Sequence, residues 1–219
     1  ESVTCVVERG KPEEAIIEKA AAGDGTLIAM ATHRRSGIQR WLLGSVAEKV
    51  LHGASDHLLL VRASEGGRTD GEAILKTVVI PLDGSELAEG VISHAVELTR
   101  KMTLDVILLR AYALPPSVSV DDYDTYDQDL MGLLEGEAKD YLEQQVKLLK
   151  AKGVEHISSV VDFGYGAEKI IAFARKTPNN FIAMCTHGRS GIKRWALGSI
   201  TERVVQHSGD PVLIIRAKS

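Results

Sequence analysis

The sequence predicts an α/β fold built on parallel β-sheet, and two observations carry that prediction. Continuous apolar runs alternate with amphipathic stretches, which is typical of strands buried on both faces between layers of helices. In addition, residues 30–63 and 184–217 align without a gap at an offset of 154, with 18 identities in 34 positions. The chain is therefore expected to hold two copies of one doubly wound, five-stranded parallel unit, the first of them incomplete.

The second copy contains the full set of expected elements. Apolar runs predict five strands, near residues 77–82, 106–113, 156–164, 181–186 and 211–217. Apolar residues at helical spacing predict the helices between them, over residues 85–101, 129–152, 167–176 and 199–208.

The first copy matches only the end of this pattern. Its strands are expected near residues 2–8, 26–32 and 57–63. Residues 74–154 have no counterpart upstream, so we expect the natural protein to begin about 80 residues earlier. The segment between the copies is polar and glycine-rich, as surface linkers are. We therefore predict the end of a first domain, a linker and a complete second domain, at residues 1–63, 64–73 and 74–219.

Composition argues against several classes of protein. The 219 residues are 44% hydrophobic, and no apolar run approaches the roughly 20 residues that span a bilayer. The 26 basic and 30 acidic residues give a net charge of −4, without a basic block that would bind nucleic acid. Cys5 and Cys185 lie in strand-like segments, which favours free thiols and a reducing cytoplasm over a disulfide framework. We expect a cytoplasmic protein with neither membrane nor nucleic-acid partners.

The loop after the fourth strand of the second copy is the first candidate for a binding site. Gly188 lies in this loop, and Gly198 and Ser199 open the next helix. In doubly wound sheets, ligands bind beyond the carboxyl ends of the strands. The free amides and the dipole of a helix N-terminus favour phosphate, and glycine lets the backbone come close to it.

This spacing resembles that of the universal stress protein family in its tandem form. The family motif is Gly, two residues, Gly, nine residues, Gly, and then Ser or Thr. In the second copy it falls on Cys185, Gly188, Gly198 and Ser199. In the first copy it falls on Ala31, Arg34, Gly44 and Ser45. One glycine is thus replaced in the second copy and two in the first.

The resemblance implies an adenine nucleotide alpha hydrolase-like fold that binds ATP or another adenine nucleotide, with or without Mg, mainly through the second domain. Asp83 matches the family's nucleotide-contacting aspartate, and Ala111 matches the position whose backbone reads the adenine. Cys185, in place of the first glycine, is expected to weaken binding. The implied binding residues are Pro81, Leu82, Asp83, Ala111, Cys185, His187, Gly188, Arg189, Gly198, Ser199 and Ile200.

Structural explanations stay open for several of these residues. Ser199 and Glu202 fit a capping box, which Ser45 and Glu48 repeat. Asp83 can form an Asx-turn before a helix capped by Ser85. Arg189 either pairs with a phosphate or belongs to a solvated positive loop.

Two functions are compatible with these patterns. The first is a nucleotide-binding module of stress response or regulation, and the alternative is a nucleotide-independent scaffold for dimerisation or protein interaction, with decayed sites. No G-x-S-x-G elbow or P-loop is present, so no catalytic residue is assigned and at most a weak ATPase is expected. The equivalent terminal strands, 57–63 and 211–217, are expected to pair, either between the two domains or in a homodimer.

Overall fold

The computed structural model describes residues 2–23, 25–32, 43–62, 74–114, 127–186 and 197–216. The first repeat forms two helices and two strands within these ranges: α1 (Pro12–Ala21), β1 (Leu27–Thr32), α2 (Ser45–Gly53) and β2 (His57–Arg62). The second repeat forms β3 (Thr77–Pro81), α3 (Glu86–Met102), β4 (Asp105–Tyr112), α4 (Asp127–Ala151), β5 (Ile157–Phe163), α5 (Gly166–Lys176), β6 (Asn180–Cys185), α6 (Ser199–His207) and β7 (Val212–Ile215).

The strands form one seven-stranded sheet in the order β1-β2-β7-β6-β3-β4-β5. Within each repeat all strand pairs are parallel. The five strands of the second repeat follow the doubly wound order: β3 lies at the centre, β4 and β5 are added on one side of it, and β6 and β7 on the other. The predicted fold class is therefore confirmed, with the two repeats joined into a single sheet.

The joint between the repeats is the antiparallel pair β2–β7, with Leu58 opposite Ile214 and Leu60 opposite Val212. The expected pairing of the terminal strands thus occurs within one chain. Two equivalent arginines support it: the guanidinium of Arg62 donates to the carbonyl oxygens of Val205 and Gln206 at 3.0 and 2.6 Å. Arg216 donates in turn to the carbonyl oxygen of Leu51. Each arginine satisfies the open carboxyl end of the other repeat's last helix.

Two apolar clusters cover the two faces of the sheet. One consists of side chains from both repeats, with Leu58 of β2 and Ile214 of β7 both fully buried in it. The other packs α3 and α4 against β3 and β4, with Val106 and Leu108 pointing into it. Because neighbouring side chains of a strand point to opposite faces, Leu109 lies in the first cluster.

One expected strand does not form. Residues 2–9 are exposed and hold no strand, although the repeat makes them equivalent to β5. In the second repeat, β5 is held by its ladder with β4. The residues of this sequence include no first-repeat counterpart of β4, and among the described residues no strand pairs with this segment. No helix within the described ranges is long and apolar enough to cross a membrane.

Candidate functional site

A cavity of about 480 Å³ opens at the carboxyl ends of β3, β4, β5 and β6. This is the edge at which ligands of doubly wound sheets bind, and the volume lies within the usual range of ligand pockets. Eight of the eleven expected binding residues line it together: Pro81, Leu82, Asp83, Ala111, Cys185, Gly198, Ser199 and Ile200. The other three, His187, Gly188 and Arg189, lie outside the described residues, as does Arg34 of the first copy.

Asp83 holds the turn that leads from β3 into α3. Its Oδ1 accepts hydrogen bonds from the backbone N–H of Ser85 at 3.0 Å and from the Ser85 hydroxyl at 2.6 Å. The Ser85 hydroxyl oxygen in turn accepts from the N–H of Ala88 at 3.2 Å, as an N-cap does. The Asx-turn explanation is therefore confirmed. A carboxylate accepts about four hydrogen bonds, so this turn is compatible with a ligand contact at the same residue.

Ala111 directs its backbone polar groups toward the cavity. Along β4, the N–H of Asp105 donates to the carbonyl of Lys76, and the carbonyl of Leu109 accepts from the N–H of Leu82. Both hydrogen bonds lie on the β3 side. On the β5 side, the N–H of Val106 donates to the carbonyl of His156, and the carbonyl of Tyr112 accepts from the N–H of Gly164. Because this alternation continues along a strand, the N–H and C=O of Ala111 face the β3 side, beyond the point where β3 has ended at Pro81. The site thus offers one donor and one acceptor that can read the edge of a base.

The amino end of α6 offers free backbone donors. The first hydrogen bond inside this helix runs from the N–H of Glu202 to the carbonyl of Gly198 at 2.9 Å. The N–H groups of Ser199, Ile200 and Thr201 therefore have no partner within the helix, and all three residues line the cavity. Such an end binds anions through its amides and its dipole.

Capping does not explain Ser199. The N-cap residue of α6 is Gly198, and no side chain caps the helix. Gly44 is likewise the N-cap of α2, where Ser45 is the first helical residue. The capping-box interpretation is thus wrong for both serines, because each helix begins one residue earlier than a capping box requires, with the serine as its first helical residue. Gly198 is fixed there by its own N–H, which donates to the carbonyl of Thr186 at 2.7 Å.

Cys185 packs toward α3 at the side of the cavity. A Cβ placed on Gly90 would lie 3.4 Å from the Cys185 Sγ, so the thiol packs closely against this turn of α3. Burial raises the thiol pKa to about 11, with a hydrogen bond from the Val91 backbone lowering it and the charge of Asp83 raising it further. The thiol is therefore neutral at physiological pH, and it fills space between β6 and α3.

Arg110 is the main feature that sequence reasoning missed. Its side chain lines the cavity and is only 8% exposed, with the guanidinium 3.4 Å from the exposed carboxylate of Glu137 and stacked 4.7 Å from the centre of the Tyr141 ring. The Tyr141 hydroxyl and the Gln145 amide both donate to Glu89 at 2.9 Å. Burial, followed by the hydrogen bond to Glu89, raises the pKa of Tyr141, so its hydroxyl keeps its proton.

The rim of the cavity beside β5 is apolar and aromatic. Tyr165, the N-cap residue of α5, is 72% exposed there and lies between Gly164 and Gly166. Gly164 has a φ of +137°, a conformation that side chains rarely adopt. Gly164 and Gly166 are the sequence feature that marks this part of the site. Within the described residues, no group of three or more His, Cys, Asp or Glu side chains is placed to hold a metal ion.

Comparisons with known proteins agree with this architecture. The sequence profile described as the universal stress protein family matches residues 1–62 and 75–216. Universal stress protein MJ0531 of Methanocaldococcus jannaschii is 29% identical over 147 residues, which cover 67% of this chain and 85% of that protein. A universal stress protein structure from Archaeoglobus fulgidus superimposes with a TM-score of 0.65 and 22% identity, over 94% of this chain and 67% of that one.

A third comparison concerns a structure with a bound ligand. A universal stress protein in complex with cAMP superimposes with a TM-score of 0.51 and 22% identity, over 67% of this chain and all of that chain, a coverage of 100%. At this identity the likeness is one of fold.

Proposed function

Because the chain belongs to the universal stress protein family, we propose that its cavity binds an adenine nucleotide, ATP or a close relative, and that the protein acts as a nucleotide-dependent module of stress response or regulation. The observation that carries the proposal is the convergence of three kinds of group on one cavity. These are the carboxylate of Asp83, the backbone N–H and C=O of Ala111 and the free amides at the start of α6.

Each group suits one part of a nucleotide. The amides of Ser199, Ile200 and Thr201 suit a phosphate, as helix N-termini do in other nucleotide sites. A backbone donor and acceptor at Ala111 suit the polar edge of adenine, and the Asp83 carboxylate suits a ribose hydroxyl or the adenine amino group. The ligand would cross β3, since β6 and β4 lie on either side of that strand. A universal stress protein of this fold has been solved with cAMP, so the fold can hold an adenine nucleotide.

His187, Gly188 and Arg189 are proposed as further phosphate-binding residues on the strength of the motif alone. Mg is proposed as a companion of the phosphates, since ATP carries it in cells and the chain need not supply its ligands. We also propose that the chain divides into two domains at residues 64–73, and that the protein is cytoplasmic and can form homodimers.

The nucleotide proposal is tested by calorimetry of the whole chain with ATP, ADP and AMP, and by mass spectrometry of whatever nucleotide co-purifies with it. We expect one site per chain, because only the second repeat combines Asp83, Ala111 and an α6-type helix start. Two equivalent sites would contradict the assignment to the second repeat. Absence of binding by all three nucleotides would favour the alternative function, a nucleotide-independent scaffold, to which the joint between β2 and β7 already lends a physical basis.

A further inference from the structure

The cavity contains a buried cation, Arg110, that is only weakly paired among the described residues. Burying a guanidinium is expensive unless it is well paired. Arg110 has one ion pair within the described residues, to Glu137, and that pair is long at 3.4 Å, while the Glu137 side chain is 65% exposed. A solvated carboxylate at that distance is a weak partner.

The remaining donors of Arg110 are open to the cavity. A guanidinium carries five N–H groups, and the Glu137 contact uses one nitrogen, Nη2. Among the described residues, a few buried side-chain atoms have neither a hydrogen-bond partner nor contact with solvent. No Arg110 nitrogen is one of these atoms. Since the side chain as a whole is 92% buried and lines the cavity, the cavity is where these donors remain accessible.

The guanidinium is also held in a fixed orientation. It stacks on the ring of Tyr141, a contact that arginine makes well. Tyr141 is itself anchored, because its hydroxyl donates to Glu89, which also accepts a hydrogen bond from Gln145. These residues lie on α3 and α4, so two helices set the direction in which Arg110 presents its donors. Tyr141 is a positioning residue in this arrangement.

The position of Arg110 in the sheet decides which part of a ligand it meets. It lies on β4 next to Ala111, whereas the anion-binding end of α6 follows β6, and β3 separates the two strands. A phosphate bound at α6 is thus two strands away from Arg110. The part of the ligand next to Arg110 is therefore the base, which contacts the backbone of Ala111. To pair with the guanidinium donors, this part of the ligand must carry hydrogen-bond acceptors. Purine ring nitrogens are such acceptors.

We propose that Arg110 is a base-recognition residue of this site, whose guanidinium donates a hydrogen bond to a ring nitrogen of the bound purine. The inference rests on the proposed nucleotide function and deepens it by naming the residue that selects for the base. It also explains why a cation that is weakly paired among the described residues occupies the cavity: the ligand supplies a further acceptor.

The test compares Arg110→Met with wild type, using calorimetry and thermal denaturation of the full chain. Methionine keeps the apolar stem and removes the charge. We expect Arg110→Met to weaken ATP binding roughly 10- to 100-fold, as loss of a hydrogen bond from a charged group does. Binding of tripolyphosphate, which has no base, should not change. The melting temperature should stay level or rise, because replacing a poorly paired buried charge by an apolar side chain is often stabilising.

Ligand analogues identify the atom. With 1-deaza, 3-deaza and 7-deaza forms of ATP, at least one analogue should bind wild type more weakly than ATP does and bind Arg110→Met as ATP does. Lys101→Met is the matched control, since it removes one positive charge at the far, carboxyl end of α3. It should leave ATP binding unchanged.

Three results would overturn the inference while leaving nucleotide binding intact. The first is an equal ATP affinity of Arg110→Met and wild type. The second is a loss of tripolyphosphate affinity in Arg110→Met as large as its loss of ATP affinity. The third is that wild type binds all three analogues as tightly as it binds ATP. If Arg110→Met is too unstable to assay, the expected gain in stability is wrong and Arg110 is a structural residue. Failure of wild type to bind any adenine nucleotide would instead refute the proposed function, and the inference with it.

Discussion

Truncating Leu58 tests whether the two repeats form one cooperative unit. Leu58 lies on β2, is fully buried and faces Ile214 of β7, which is also fully buried. Leu58→Ala removes three carbon atoms, at about 0.8 kcal/mol each, and leaves a cavity that the two strands cannot close. The expected loss in free energy of unfolding is about 3 kcal/mol, within the range of about 2–5 kcal/mol typical of such changes.

Urea denaturation of the full chain, followed by circular dichroism, measures this loss. Because the cluster around Leu58 contains side chains of both repeats, we expect a single transition that moves to lower urea with an unchanged slope. Val61→Ala on the same strand is the control, since Val61 is 38% exposed, and it should cost less than about 1 kcal/mol. Two separate transitions, or a loss for Val61→Ala as large as that for Leu58→Ala, would refute a core shared between the repeats.

Two further predictions follow from the structure. Ser85→Ala should lower the free energy of unfolding by about 1 kcal/mol, because Ser85 caps α3. Ser199→Ala should change the free energy of unfolding by less than about 0.5 kcal/mol and weaken nucleotide binding. Urea titration and calorimetry of both variants measure these effects, and the reverse pattern would contradict the two roles. The folded chain keeps the Cys185 proton up to about pH 11 while the unfolded chain releases it near 9.0, so stability should fall across this interval by about 2–3 kcal/mol at most. Cys185→Ala should remove that part of the decline, and identical pH dependence of the two proteins would show that the thiol is not buried as described.

The periodicity of the sequence was enough to predict most of the fold. Strands buried on both faces give continuous apolar runs, which is why β3, β4, β6 and β7 fall within two residues of their expected positions. The same signal failed for residues 2–9, since an apolar pattern specifies a tendency to pair and says nothing about whether a neighbouring strand exists.

The candidate site was predictable where one local segment carries the chemistry. Asp83 lies between a strand and a helix, and Gly198–Ser199 opens a helix. Their role in ligand binding can therefore be predicted from a few consecutive residues. The capping box placed the N-cap at Ser199 and not at Gly198, because the hydrogen bond from Gly198 to Thr186 that fixes the N-cap joins residues 12 apart across the loop. Arg110 was missed for a related reason. Inside the run VILLRAYA it looks like an ordinary strand residue, and only the packing of α4 brings Glu137 and Tyr141 to it.

The antiparallel pair β2–β7 explains why the cavity of the second repeat does not depend on the equivalent motif of the first repeat. The strands of the first repeat run opposite to those of the second, because β2 is antiparallel to β7 while all other pairs are parallel. The start of α2, which follows β1, therefore lies at the opposite edge of the sheet from the start of α6, which follows β6. Gly44–Ser45 cannot contribute to the cavity around Gly198–Ser199. What the first repeat does reach is the other end of α6, where Arg62 donates to the carbonyl oxygens of Val205 and Gln206. The first repeat therefore need not keep the motif glycines, whose positions hold Ala31 and Arg34, while Arg62 must keep the hydrogen bonds that hold the helix in place.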